Sequence, residues 1–295
     1  MTGEAAWQKQ VRIGRTLLFC AVVASLLLGG SLGSIACVPV ETSGQDPHTE
    51  ELVEQLANPS ASERNEAREG LLSLGAAAIP PLIVATESDN ATLRWEAVNL
   101  LGILEDLRAT AAVLLVALTD LDVHARWRAN WAITRLDDGL VVPRLIAALE
   151  CENQTIAWNA AVTLSLFSRT EAVPLLHRGL PSSGWRQWEA VNALGRVWND
   201  ETVLELTALL RRGPEDVRKE ATLSLGRIGG EYALLALLEA LASDPSPEVR
   251  WRAAMMIGRV GTVANVRLLQ ELLEMETDSL VIEYVEKVIT ALTHL

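Results

Sequence analysis

An alanine returns along this chain at positions 97, 129, 160, 190, 221 and 253, in steps of 32, 31, 30, 31 and 32 residues. Each alanine sits in a copy of one unit. The clearest copy is Asp244-Pro245-Ser246-Pro247-Glu248-Val249-Arg250-Trp251-Arg252-Ala253-Ala254-Met255-Met256-Ile257-Gly258, and Arg94-Trp95-Glu96-Ala97-Val98-Asn99-Leu100-Leu101-Gly102 is a second. Arg126-Trp127-Arg128-Ala129, Gln187-Trp188-Glu189-Ala190 and Arg218-Lys219-Glu220-Ala221 open three more, and Ala157-Trp158-Asn159-Ala160 is a degenerate sixth. A constant period in this range leaves few folds open. Each unit is one supersecondary element that cannot bury its apolar face alone, so neighbours must stack on both sides.

The unit reads as a pair of helices. Advancing about 100° per residue from Val249 puts Val249, Ala253, Met256, Ile257 and Val260 on one stripe. Leu93, Ala97, Leu100 and Leu101 fill the same slots in an earlier copy, and Val217, Ala221 and Leu225 in a later one. The alanine is small because a partner helix approaches there, and a larger side chain would overpack the crossing. Gly102, Gly195, Gly226 and Gly258 follow late in the helix, where glycine is expected to supply a left-handed stop. Thr134 and Ser165 take that place in two copies. Between these helices lie apolar runs at 111–118, 141–149 and 233–241, each expected to be a first helix packed on the second.

These residues resemble HEAT-like repeats of the phycobilisome-lyase type: Asp, a short turn, Val-Arg, an alanine four positions after the valine, then Leu-Gly. The resemblance covers residues 50–295 and implies an all-α, right-handed α-solenoid of about seven to eight HEAT-like helix pairs. It says little about chemistry, because a fold does not carry a function. The stretch 67–75 reads as an atypical first copy with Gly70 in the alanine slot. The last stretch is expected to hold helices at 266–275 and 278–292.

Residues 1–36 are a separate segment. Lys9, Arg12 and Arg15 make a basic start, followed by an apolar run from Leu17 to Leu28 and small residues up to Cys37. This is the order of an export signal. Cys37 after Ile35-Ala36 resembles the cleavage site of a bacterial lipoprotein, which implies lipidation at Cys37. Ser34 departs from that pattern. Two other readings are open: an uncleaved single transmembrane anchor, since no charge falls between Arg15 and Glu41 and a span needs about 20 residues, or a cleaved soluble protein. All three place the repeats outside the cytoplasm, because the basic residues precede the apolar run. Residues 37–49 read as a polar tether and 50–295 as the repeat region.

The formal charge is −13. An acidic repeat domain repels phosphate backbones, so no nucleic-acid partner is expected. Of the cysteines, Cys20 lies in the signal and Cys37 is the lipidation candidate, which leaves Cys151 without an internal disulfide partner. His48, His124, His177 and His294 are isolated in sequence, and there is no His-Glu-x-x-His, paired Cys-x-x-Cys or phosphate loop. No metal site, catalytic constellation or cofactor is expected. Asp120, Asp122 and His124 read as a helix cap and a solvated turn.

Two rows of side chains remain. Arg94, Arg126, Arg218 and Arg250 recur, with Asp120 and Asp244 six residues before Arg126 and Arg250. The resemblance implies that such Asp and Arg side chains form a structural ladder between repeats. Trp95, Trp127, Trp158, Trp188 and Trp251 share a slot about 200° from the opening apolar residue, away from the core, and Trp131 adds a ring one turn on. In a HEAT-like solenoid this slot is expected to form a stripe along the concave side. Two readings are open: rings packed in grooves and stacked on arginines, or rings exposed as a binding stripe. The function expected is a membrane-tethered scaffold binding a protein or peptide in the cell envelope. The alternatives are a bilin-lyase-like chromophore-binding enzyme or a glycan-binding envelope protein.

Overall fold

The computed structural model describes residues 47–136 and 139–294, and the segment 1–36 with Cys37 lies outside them. Among the described residues the chain forms eight successive helix pairs and no strand. They are α1 (Pro47–Gln55) with α2 (Ala61–Leu74), α3 (Ile79–Ala85) with α4 (Ala91–Leu104), α5 (Thr110–Thr119) with α6 (Val123–Ile133), and α7 (Val141–Ala148) with α8 (Gln154–Ser165). Then come α9 (Val173–His177) with α10 (Trp185–Leu194), α11 (Asp200–Arg212) with α12 (Glu215–Ile228), α13 (Gly230–Ser243) with α14 (Pro247–Val260), and α15 (Val266–Leu273) with α16 (Ser279–Thr293). The residues fall into two compact units, one ending at Thr163 and one beginning at Leu164. In each unit a second helix packs on its own first helix and on neighbouring second helices, as α4 does on α6 and α14 on α12 and α16. This is the stacked arrangement of an α-solenoid.

The alanine slot explains the stacking. Ala97, Ala129, Ala160, Ala190, Ala221 and Ala253 are all fully buried. Ala67 is fully buried too, and Arg64, three residues before it, repeats the turn contacts of the later arginines. The first copy therefore runs in register with Ala67, not Gly70, in the slot. Helix α1 starts at Pro47, inside the stretch read as tether, and buries Thr49, Leu52 and Val53.

Three of the four late glycines do not stop their helices, contrary to expectation, and Gly195, which does follow the end of α10, has a right-handed φ of −65°. Gly102, Gly226 and Gly258 lie inside α4, α12 and α14, and the left-handed turns fall elsewhere, at Glu105 and Gly229 among others. What these positions need is the absence of a side chain. A Cβ on Gly102 would lie 2.7 Å from Ala132 Cβ, one on Gly195 2.6 Å from Ser224 Cβ, and one on Gly226 2.6 Å from Met256 Cβ. Gly258 has Val288 Cγ2 at 3.1 Å. Each glycine is a socket for a residue of the next second helix; a substituent at Gly102, Gly195 or Gly226 would force the helices apart, and one at Gly258 would make Val288 shift by a few tenths of an ångström.

Candidate functional site

The turns that enter α2, α4, α6, α12 and α14 are each tied by one arginine, and Gln187 donates to the Leu180 carbonyl in the turn before α10. Arg94 Nη1 donates to the carbonyls of Ser88 and Asp89 at 3.0 and 3.1 Å. Arg126 does the same to Asp120 and Leu121 at 2.8 and 3.2 Å, and Arg250 to Asp244 and Pro245 at 2.9 and 3.4 Å. Arg218 Nη1 donates to Gly213 at 3.1 Å. Turn carbonyls left without a helical partner thus meet a charged donor. The other edge of the guanidinium reaches the next repeat. Arg94 grips Asp120 with Nε and Nη2 at 2.7 and 2.8 Å, Arg218 grips Asp244 at 2.8 and 3.0 Å, and Arg250 grips Glu276 at 2.7 and 2.9 Å.

The six-residue spacing read from the sequence is therefore a side-chain-to-carbonyl contact, and the ion pair spans 26 residues instead. Asp120 and Asp244 complete the turn by accepting the N–H of Asp122 and Ser246, and Glu276 accepts those of Thr277 and Asp278. The arginine holds the Glu276 carboxyl down at about 2. Hydrogen bonds donated to Asp120, Asp244 and Glu276 raise the basicity of Arg94, Arg218 and Arg250 in turn. Asp120 stands two residues before the cap Asp122. The same place before the cap Asn153 is held by Cys151, and among the described residues Arg126 pairs with no carboxylate.

The tryptophans divide. In the first unit Arg128 stands over two rings, its guanidinium carbon 5.6 Å from the centroids of Trp95 and of Trp127. Arg135 stands 5.3 Å from the Trp131 ring, pairs with Glu105, and donates to the Gly102 carbonyl at 3.1 Å. Trp95 is half-buried, whereas Trp127 is 63% and Trp131 39% exposed. Trp158 is 4% exposed. Its membership of an exposed stripe is corrected: the degenerate copy lacks the flanking arginine, and its indole packs inward. In the second unit Trp188 is half-buried and stacks on Trp185 at 4.7 Å, and Trp251 is half-buried between Tyr284 at 5.0 Å and Arg252 at 4.8 Å.

Trp185 and Trp198, 49% and 51% exposed, escaped the sequence reading because neither occupies the repeated slot. So did the neighbours of His177: Glu201 and Glu205 lie four apart on α11, a spacing visible in sequence, but only packing brings the histidine to them.

Residues 203–289 match the family model of HEAT repeats. The chain carries HEAT repeats. No curated protein matches the sequence. Among solved structures, YibA of Escherichia coli is similar at 19% identity, covering 83% of this chain and 92% of that one, with a TM-score of 0.51. The complex of CpcE and CpcF of phycocyanin lyase from Nostoc is 21% identical over 88% of this chain and 100% of that one, at 0.47. Human deoxyhypusine hydroxylase in complex with glycerol is 22% identical over 84% and 96%, at 0.38. At these identities the YibA likeness speaks for the stacked-helix fold alone, and the other two bear on neither mechanism nor substrate. With its HEAT repeats, the chain has the fold of a scaffold protein.

Proposed function

We propose that this HEAT-repeat chain is an interaction scaffold of the bacterial cell envelope, tethered through its N-terminus at Cys37 and binding a protein or peptide partner on the aromatic faces of its second helices. The observation that supports it is the pair Trp127 and Trp131, one turn apart on α6 and both exposed, each beneath an arginine. Tryptophan and arginine are the residues most often decisive at interfaces. Here the arginines are already held over the rings, so less side-chain freedom is lost on binding. The net charge of −13 favours a neutral or basic partner.

The test is co-purification from envelope membranes with the full-length protein, comparing wild type with Trp127→Ala/Trp131→Ala. A defined set of proteins lost by the variant while its melting temperature holds supports the reading. Identical recovery by both overturns the aromatic face as the binding surface. Intact mass of the membrane-extracted protein tests the tether, with an unmodified full-length chain counting against lipidation.

A further inference from the structure

The second unit contains a buried carboxylate oxygen, Glu205 Oε2, that accepts no hydrogen bond among the described residues. Its neighbour is His177 Nδ1, at 3.5 Å. Whether that nitrogen can donate a proton is decided one residue away, by Thr202.

Asn199 and Thr202 form the box that caps α11. Asn199 Oδ1 accepts the Thr202 N–H at 2.8 Å, which fixes it as the oxygen, and it also accepts the Thr202 hydroxyl at 2.8 Å. The Thr202 proton is thereby committed. Its oxygen, fully buried with the rest of the residue, can only accept from His177 Nε2 at 3.1 Å. A neutral imidazole in this place is the tautomer with its proton on Nε2 and a lone pair on Nδ1. That lone pair faces the orphaned oxygen of Glu205. A lone pair and a carboxylate oxygen 3.5 Å apart, the oxygen shut off from water, are suited to a positive charge between them.

Glu201, one turn before Glu205 on the same helix, adds a second carboxylate. Donor atoms of His177, Glu201 and Glu205 all lie within 4.8 Å of one another. We propose that these three residues bind a divalent transition metal of the zinc class, with Thr202 as the residue that orients the imidazole. One imidazole nitrogen and two carboxylates suit such an ion, and the Thr202 bond to the far ring nitrogen is the outer-shell support that metal-ligating histidines usually have. Three protein ligands leave a coordination position for water. Because His177 ends α9 and the glutamates lie on α11, the ion would bridge neighbouring repeats.

The test uses the full-length protein, stripped with EDTA and titrated with Co²⁺ as a spectroscopic probe and with Zn²⁺ by calorimetry. The expected result is one equivalent bound, visible ligand-field bands from the cobalt, and a rise in melting temperature with zinc. His177→Ala and Glu205→Gln each weaken binding by at least a hundredfold, and Thr202→Val weakens it by roughly tenfold while every ligand stays in place. Absence of the bands, or a wild-type melting temperature that zinc does not move, overturns the proposal; a protonated His177 paired with Glu205 would give that result. Equal binding by wild type and His177→Ala also overturns it, assigning the metal to scattered surface carboxylates. Should a variant fail to fold, the wild-type bands and melting shift decide.

Discussion

The guanidinium of Arg94 holds both carboxylate oxygens of Asp120, 26 residues further on, at 2.7 and 2.8 Å, and both residues are more than nine-tenths buried. With its remaining nitrogen the same group closes the turn before its own helix. One side chain thus fixes the entry to one repeat and the distance to the next. Arg94→Ala leaves the buried Asp120 without its charge partner, with only the Asp122 N–H among the described residues still donating to it. The expected loss is about 3–5 kcal/mol in urea unfolding, the range for breaking a buried pair. Adding Asp120→Asn in a double-mutant cycle should recover part of it, and strict additivity would show that the pair is not coupled.

The place of Asp120 is taken by Cys151 one repeat later, where Arg126 satisfies its turn and pairs with no carboxylate among the described residues. Cys151→Asp should complete this rung. The new charge-assisted contact is expected to add about 1 kcal/mol, read as a higher melting temperature. The gain should vanish in an Arg126→Gln background; if it persists there, the aspartate is acting on something other than Arg126.

The Glu276 carboxyl sits at about 2, below its ordinary 4.5, because Arg250 and two backbone N–H groups favour the charged form. A depressed carboxylate contributes stability that is complete above pH 4.5 and is lost as pH falls from there toward 2. The contribution is at most about 3 kcal/mol. Glu276→Gln should be less stable at neutral pH and have a flatter stability curve between pH 4.5 and 2. Parallel curves for wild type and variant would remove the pair from the acid response.

Trp127 and Trp158 occupy the same slot, yet one is 63% and the other 4% exposed. Trp158→Ala empties a packed site and should cost about 3–5 kcal/mol. Trp127→Ala should stay within roughly 0.5 kcal/mol of wild type, as surface changes do. Calorimetry of the two variants separates them, and equal losses would mean that both rings support the fold.

The helix pairs and their order could be read directly from the sequence, because a buried alanine every 30–32 residues leaves a periodic mark that neighbouring residues reinforce. The arginine row was visible for the same reason, but its partners were misplaced. Sequence distance favoured the aspartate six residues back, whereas the turn directs that edge of the guanidinium to a carbonyl and sends the other edge 26 residues ahead. The exposure of each tryptophan was not legible, since a slot specifies a direction and not the size of the neighbours that cover it. His177 gave no signal at all: its relation to Glu201 and Glu205 exists only after two helices pack.

The sockets at Gly102, Gly195, Gly226 and Gly258 bear on how such an array can grow. Each is filled by a residue about 30 positions on, Ala132, Ser224, Met256 or Val288, so α12 and α14 carry both a receptacle and the knob for the layer before them. Duplicating a whole unit would hand the copy both halves of that joint and leave its flanks unchanged. Inserting a single residue between the buried alanine and the socket would rotate knob and receptacle out of alignment at once. Length changes in the second helices should therefore come in whole units, while the connecting turns are free to vary.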